Sequence, residues 1–211
     1  MLLSIDTSAG TSVAVVDRDR GIIAEAGETD TRRHAEVIGE LIELCLARSG
    51  VPIAQLSGVV AGMGPGPFTG LRVGIAAANT FALGAGKPVV RVVSHDGIAW
   101  AHYAAGGTGP LLVVTDARRR EVYWSAYEGA DEFGLPLRSQ GPALTKPDDL
   151  PGAVTGYAGY LRLDAAEVSA GASGMLAEGL FQHRRPFAGS EPLYLRSPDV
   201  TVPNAPKRVT G

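Results

Sequence analysis

Two stretches far apart in the chain carry one pattern, and that repeat limits the fold more than any other feature. "LLSIDTSAGTSVAVV" near the start and "LLVVTDARRREVYWSAY" at 111–127 each run as apolar strand, aspartate, polar turn and alternating strand. Asp6 ends the strand of the first copy and Asp116 that of the second. Alternation with a period of two is the mark of a half-buried strand. Two copies of one strand–turn–strand unit predict two similar lobes facing across a cleft, although a strand–Asp–hairpin also occurs in unrelated α/β chains. Gly106, Gly107 and Gly109 mark the junction. The reading gives lobes over 1–105 and 106–195, the second smaller, and a tail over 196–211 that Pro198, Pro203 and Pro206 make extended or disordered.

The remaining elements fill in an α/β chain. "GIIAEAGET" reads as a weaker third strand, and Asp30 or Thr31 caps a helix to about Ser49, stopped by Gly50 and Pro52. "LSGVVAGMG" is a short buried strand, "TGLRVGIAAANTFALGAG" a helix capped by Thr69, "KPVVRVVS" a strand and "HDGIAWAHYAA" a helix. That order predicts a mixed five-stranded sheet flanked by helices. In the second copy "AVTGYAGYL" (153–161) supplies a later strand and turn, and "SAGASGMLAEGLFQH" the last helix.

At 211 residues, 45% hydrophobic and 19% charged, the chain has the makeup of a folded soluble protein. A net charge of -3 offers nucleic acid no global attraction, so RNA contact needs a local patch or a partner. The single Cys45 excludes an internal disulfide and a multi-cysteine metal site, which fits a reducing compartment. "MLLSIDTS" lacks a cationic start and meets Asp6 too early for a signal peptide, and no apolar run reaches the ~18 residues of a membrane span. A cytoplasmic protein without membrane contact is expected.

The densest local signal is "GMGPGPFTGLRVG" at 62–74. No Gly-Lys-Ser/Thr closes it, so it is no Walker loop, and Thr69 stands where a dinucleotide fingerprint needs its third glycine. What remains is a strand–loop–helix in which Gly64, Gly66, Thr69 and Gly70 could let a phosphate approach free backbone N–H groups, or only turn the chain tightly. Asp6 and Asp116 at strand ends could hold a magnesium-nucleotide through waters, with Thr7, Ser8, Thr11 and Ser12 beside the phosphate. Against this, an aspartate at a strand end often caps its own turn, and Arg118, Arg119 and Arg120 are bulky for a phosphate turn. His34 lacks a helical metal partner, because the position four residues on is Ile38.

The two helices of the first copy carry surplus apolar surface. On the first, Val37, Ile38, Leu41, Ile42, Leu44, Cys45 and Leu46 span roughly twice the ~100° stripe that one sheet covers, beside an acidic strip of Glu36, Glu40 and Glu43. On the second, Arg72, Asn79 and Thr80 are the polar residues among many Ala and Gly. Both helices are expected to be covered on a second side, by another protein or by the other lobe. The candidate interface comprises His34, Val37, Ile38, Leu41, Cys45, Arg72, Ile75, Ala76 and Asn79.

"LSIDTS", "GMGPGPFTGLRVGIA", "DARRREVYWSAY" and "EPLYLR" stand in the order of one family. Across nearly its whole length the chain resembles the TsaB (YeaZ) family, a bacterial subunit of the machinery making threonylcarbamoyladenosine in tRNA. The resemblance implies an actin-like fold of two ribonuclease-H-like lobes. It implies a non-catalytic subunit that forms a heterodimer with the transferase TsaD, supports the ATPase TsaE, meets tRNA only through the complex, and forms a homodimer when isolated. TsaD holds its metal with two histidines at helical spacing, of which this chain keeps His34 and replaces the second with Ile38. No cofactor is firmly expected beyond weak ATP or ADP at degenerate phosphate-site positions. Two other readings stay open: an ATP-dependent phosphotransferase using Asp6 and Asp116, and a metalloprotease, which the unpaired His34 disfavours.

Overall fold

The computed structural model describes residues 1–196; the expected tail falls almost wholly outside them. Its first sheet contains β1 (Leu2–Asp6), β2 (Thr11–Asp17), β3 (Gly21–Glu28), β4 (Gly58–Gly62) and β5 (Val89–Val92) in the order β3-β2-β1-β4-β5. β1, β2 and β3 are antiparallel, and β4 and β5 run parallel to β1. The second sheet contains β6 (Leu111–Asp116), β7 (Val122–Ala130), β8 (Pro136–Thr145) and β9 (Leu161–Asp164) in the order β8-β7-β6-β9. β6–β7–β8 are antiparallel and β9 is parallel to β6. The second sheet thus repeats the first strand for strand and stops one short. This doubled mixed sheet is the two-lobed arrangement that the repeat predicts, and it agrees with the actin-like fold that the resemblance implies.

The second copy differs from the sequence reading in detail. The stretch 153–161 is not a strand: α4 (Leu150–Ala153) and a helical turn at Tyr157–Gly159 precede β9. The glycines there break the strand, and pairing with β6 begins only at Leu161. β8, partly buried along most of its length, carries little apolar alternation to mark it as a strand in the sequence.

Among the described residues, five helices clothe the sheets. α1 (His34–Ser49) and α2 (Phe68–Ala85) cover one face of the first sheet, burying Leu3, Ile5, Val13, Val15, Val59 and Ala61. Neither has the cap expected of it. Asp30 instead accepts from Arg32 N, with Arg33 at the N-cap of α1, and Thr69 lies inside α2 behind an N-cap Pro67. Left-handed Gly50 and Gly86 end both helices and donate back to their last turns. α3 (Ser94–Ala104) follows β5 yet packs on the second sheet, its Ile98 and Ala99 meeting Leu111 and Val113. α5 (Ala170–Gln182), capped by Ser169, returns to the opposite face of the first sheet, where Leu176 and Ala177 meet Leu2, Ala14, Val16 and Val60. Each sheet therefore buries one face under a helix contributed by the other half of the chain.

Candidate functional site

The cleft begins where β1 ends. Asp6 is 1% exposed, and its carboxylate is fully engaged. Oδ1 accepts from the amide of Ser8 at 2.8 Å and from the Ser8 hydroxyl, while Oδ2 accepts from the Ser94 hydroxyl at 2.6 Å. Ser94 Oγ in turn accepts from Gly64 N at 3.0 Å, and Ser94 N donates to Gly64 O at 2.7 Å. Burial raises the Asp6 carboxyl above its ordinary range, and the donors from Ser8 and Ser94 pull it back. Asp6 thus ties the first turn to the glycine loop and to the start of α3.

The glycines of the loop have a corresponding role. A Cβ on Gly66 would lie 2.8 Å from Ser8 Cα, and one on Gly70 would lie 2.8 Å from Thr7 O. A Cβ on Gly62 would strike the Asp6 carboxylate, and one on Gly74 the Thr7 side chain. Thr7 Oγ1 donates to Gly70 O at 2.8 Å. The absent side chains let the loop and α2 close directly onto the turn Asp6–Thr7–Ser8. Of the two meanings open to this glycine spacing, the geometry realises close backbone packing against the protein's own turn.

Asp116 does not join Asp6. It is exposed, and its Oδ1 accepts from Arg118 N at 2.9 Å, capping its own turn. His34 is buried, with Nδ1 2.7 Å from Thr11 Oγ1, and Nε2 lies beneath Gly70. Burial first, and Arg118 second, hold its imidazole below the ordinary histidine range. It pins α1 to β2.

The expected interface needs correction on α1. His34, Val37, Ile38, Leu41 and Cys45 are buried within the chain itself, and Cys45 Sγ donates to Val13 O at 3.1 Å. The wide apolar arc is real, but the sheet covers its central part and leaves Leu44 at the surface. On α2, Arg72, Ala76 and Asn79 are exposed, Ile75 is half-buried, and Asn79 Nδ2 donates back to Ile75 O. Thr80 continues that face, and Leu83 stands out from it at 84% exposure.

Between the loop and the second lobe lies a cavity of about 310 Å³ that the sequence did not reveal. Phe68 and Thr69 line it from α2, Arg118, Arg119 and Tyr123 from the second lobe, and Tyr194 and Arg196 from the late "EPLYLR" segment. That segment returns because Leu193 N donates to Met63 O at 2.9 Å and Tyr194 packs on Phe68 with ring centroids 4.7 Å apart. Arg72 covers the Phe68 ring at 3.7 Å. Sequence offered one signal, the three arginines after Asp116, but nothing placing them beside residues so distant in the chain.

Comparison with known proteins gives a consistent result. Residues 13–166 match the family model described as TsaD: tRNA N6-adenosine threonylcarbamoyltransferase. An uncharacterized protein of Mycobacterium tuberculosis is 38% identical, covering 94% of this chain and 92% of its own length. Escherichia coli TsaB, called a tRNA threonylcarbamoyladenosine biosynthesis protein, is 32% identical over 70% of this chain and 63% of its own length. Among solved structures, YeaZ from Pseudomonas aeruginosa superposes with a TM-score of 0.71 at 25% identity, covering 87% of this chain and 92% of that one. A protein with similarity to the peptidase YeaZ from the same organism gives 0.75 at 26% identity, covering 92% and 99%.

Proposed function

The chain belongs to the TsaB/YeaZ branch of the TsaD-type family, and from that premise we infer that it is a non-catalytic partner subunit in making tRNA threonylcarbamoyladenosine. It pairs with a TsaD-type transferase and supports a TsaE-type ATPase, and in isolation it pairs with itself through the same surface. The observation that carries this reading is the outer face of α2. Arg72, Ala76, Asn79 and Leu83 follow one another at three- or four-residue spacing along one side, with Thr80 beside them, so that small residues let a second helix approach and an apolar side chain is aimed outward.

The groups that chemistry would need are engaged inside the chain. Asp6 holds Ser8 and Ser94, Asp116 holds its own turn, and His34 is packed between Thr11 and Gly70. These placements favour a supporting subunit over a phosphotransferase, and they leave ATP or ADP at most weakly held by this turn. With Ile38 in the core, His34 has no helical neighbour to share a metal.

The test is a pair of surface substitutions, Ala76→Glu and Leu83→Glu. Each is expected to weaken association with the TsaD-type partner at least about tenfold, since a charge opposite an apolar contact must be desolvated. Thermal midpoints should stay unchanged, because neither position is buried. Undiminished association would overturn the assigned surface. Ile38→Glu is no substitute, because it places a charge in the core.

A further inference from the structure

We propose that the cavity between α2 and the arginine turn binds a phosphodiester-linked nucleotide, so that this subunit touches an RNA strand directly. The choice of RNA rests on the tRNA-linked function above; the site itself rests on its own geometry. Arg118, Arg119 and Arg120 are three consecutive non-glycine residues with φ of 61°, 53° and 61°, the left-handed region that L side chains disfavour. Strain of that kind persists where the surroundings enforce it, often at binding sites. The turn is held by Asp116 Oδ1 on Arg118 N and by backbone bonds between Ala117 and Glu121 and between Glu121 and Arg118. It presents Arg118 and Arg119 to the cavity, and Arg196, paired with Glu121, joins them from the late segment. Arg118 donates to a hydroxyl, that of Thr31.

Phe68, Tyr123 and Tyr194 line the same cavity as the cations. Guanidinium groups on phosphate with aromatic rings for the base are how proteins hold single-stranded nucleic acid. A free magnesium-triphosphate fits less well. It calls for carboxylates facing the metal, whereas Asp6 is buried beneath the loop and Asp116 is turned into its own hairpin. A phosphodiester carries one charge and needs no metal. The exposed Arg120 continues the positive edge beyond the cavity, as a strand longer than one nucleotide requires.

The experiment measures binding of the full chain to a labelled single-stranded oligouridylate at low salt, with magnesium-ATP as the second probe. The wild-type chain should bind the RNA with an affinity that falls as salt rises. The double variant Arg118→Asn, Arg119→Asn keeps residues that tolerate left-handed backbone. It should bind about tenfold more weakly and with a salt slope shallower by about 1.4, as two lost phosphate contacts on a single strand dictate. Tyr194→Ala should weaken binding about tenfold at nearly the wild-type salt slope. Arg118→Lys, Arg119→Lys should restore most of the binding. No RNA binding, binding indifferent to the arginine pair, or ATP competing as well as RNA of equal nucleotide concentration would each overturn the proposal. Association of the asparagine variant with the TsaD-type partner should be unchanged, so failure here leaves the α2 surface to be judged separately.

Discussion

His95 lies fully buried on α3 with both ring nitrogens engaged, Nδ1 2.9 Å from Ser125 Oγ and Nε2 2.9 Å from Thr115 Oγ1. Burial, with Arg138 adding repulsion, holds its imidazole down to about 3 against an ordinary 6.5. The unfolded chain therefore takes up this proton first as pH falls. The contribution to stability is full above pH 6.5 and is lost between 6.5 and 3, with a slope of up to about 1.4 kcal/mol per pH unit. His34, also lowered, acts in the same sense, and Asp6, raised, acts in the opposite one. Urea titrations at pH 7 and pH 5 should show this loss in the wild type and a smaller loss in His95→Gln, whatever the variant costs at pH 7. An equal loss in both would remove His95 as the cause. Nothing in the sequence around His95 announces this role. Its partners lie in the other lobe, and no local pattern encodes that.

At the scale of elements, α2 supplies a test in which two identical substitutions should differ in sign. Gly74→Ala gains about 1 kcal/mol in helix propensity. It also drives a methyl into Oγ1 and Cγ2 of the buried Thr7, and overpacking of this kind costs about 1–3 kcal/mol. Net destabilisation is expected, partly relieved by adding Thr7→Ser, which removes the crowded methyl. Gly84→Ala meets nothing within 4 Å and should stabilise by about 0.5–1 kcal/mol. Denaturant midpoints that move the same way for both would contradict the seating of α2 on the first turn. The strand–loop–helix was legible from its residues, as was the need for close approach. Whether a phosphate or the chain's own turn fills the space was not, because Thr7 and Ser8 stand some 60 residues away from the glycines they meet. The α1 residues misled for a related reason: periodicity gives the width of an apolar arc, not which part of it the sheet covers.

The duplication was readable from two aspartates and their flanking strands, but the exchange of helices was not, since α3 and α5 have ordinary amphipathic patterns that name no partner. That exchange decides how the molecule unfolds. Removing α5 would bare Leu2, Ala14, Val16 and Val60 on the first sheet, and withdrawing α3 would bare Leu111 and Val113 on the second. Each sheet keeps a core under helices of its own half but would bare its other face without the other half of the chain, so the two should lose structure together. The chain has two tryptophans, one suited to each report: Trp124 is buried in the second sheet, and Trp100 on α3 packs against the core beneath α5. In single-tryptophan variants, Trp100→Phe and Trp124→Phe, fluorescence should trace each environment through urea. If the substitutions cost similar stability, the two midpoints should coincide with each other and with the far-UV circular dichroism of the same variant. A fluorescence midpoint well separated from the dichroism midpoint in either variant would show the lobes unfolding independently, and would mean that α3 and α5 rest on their sheets without binding the halves into one cooperative unit.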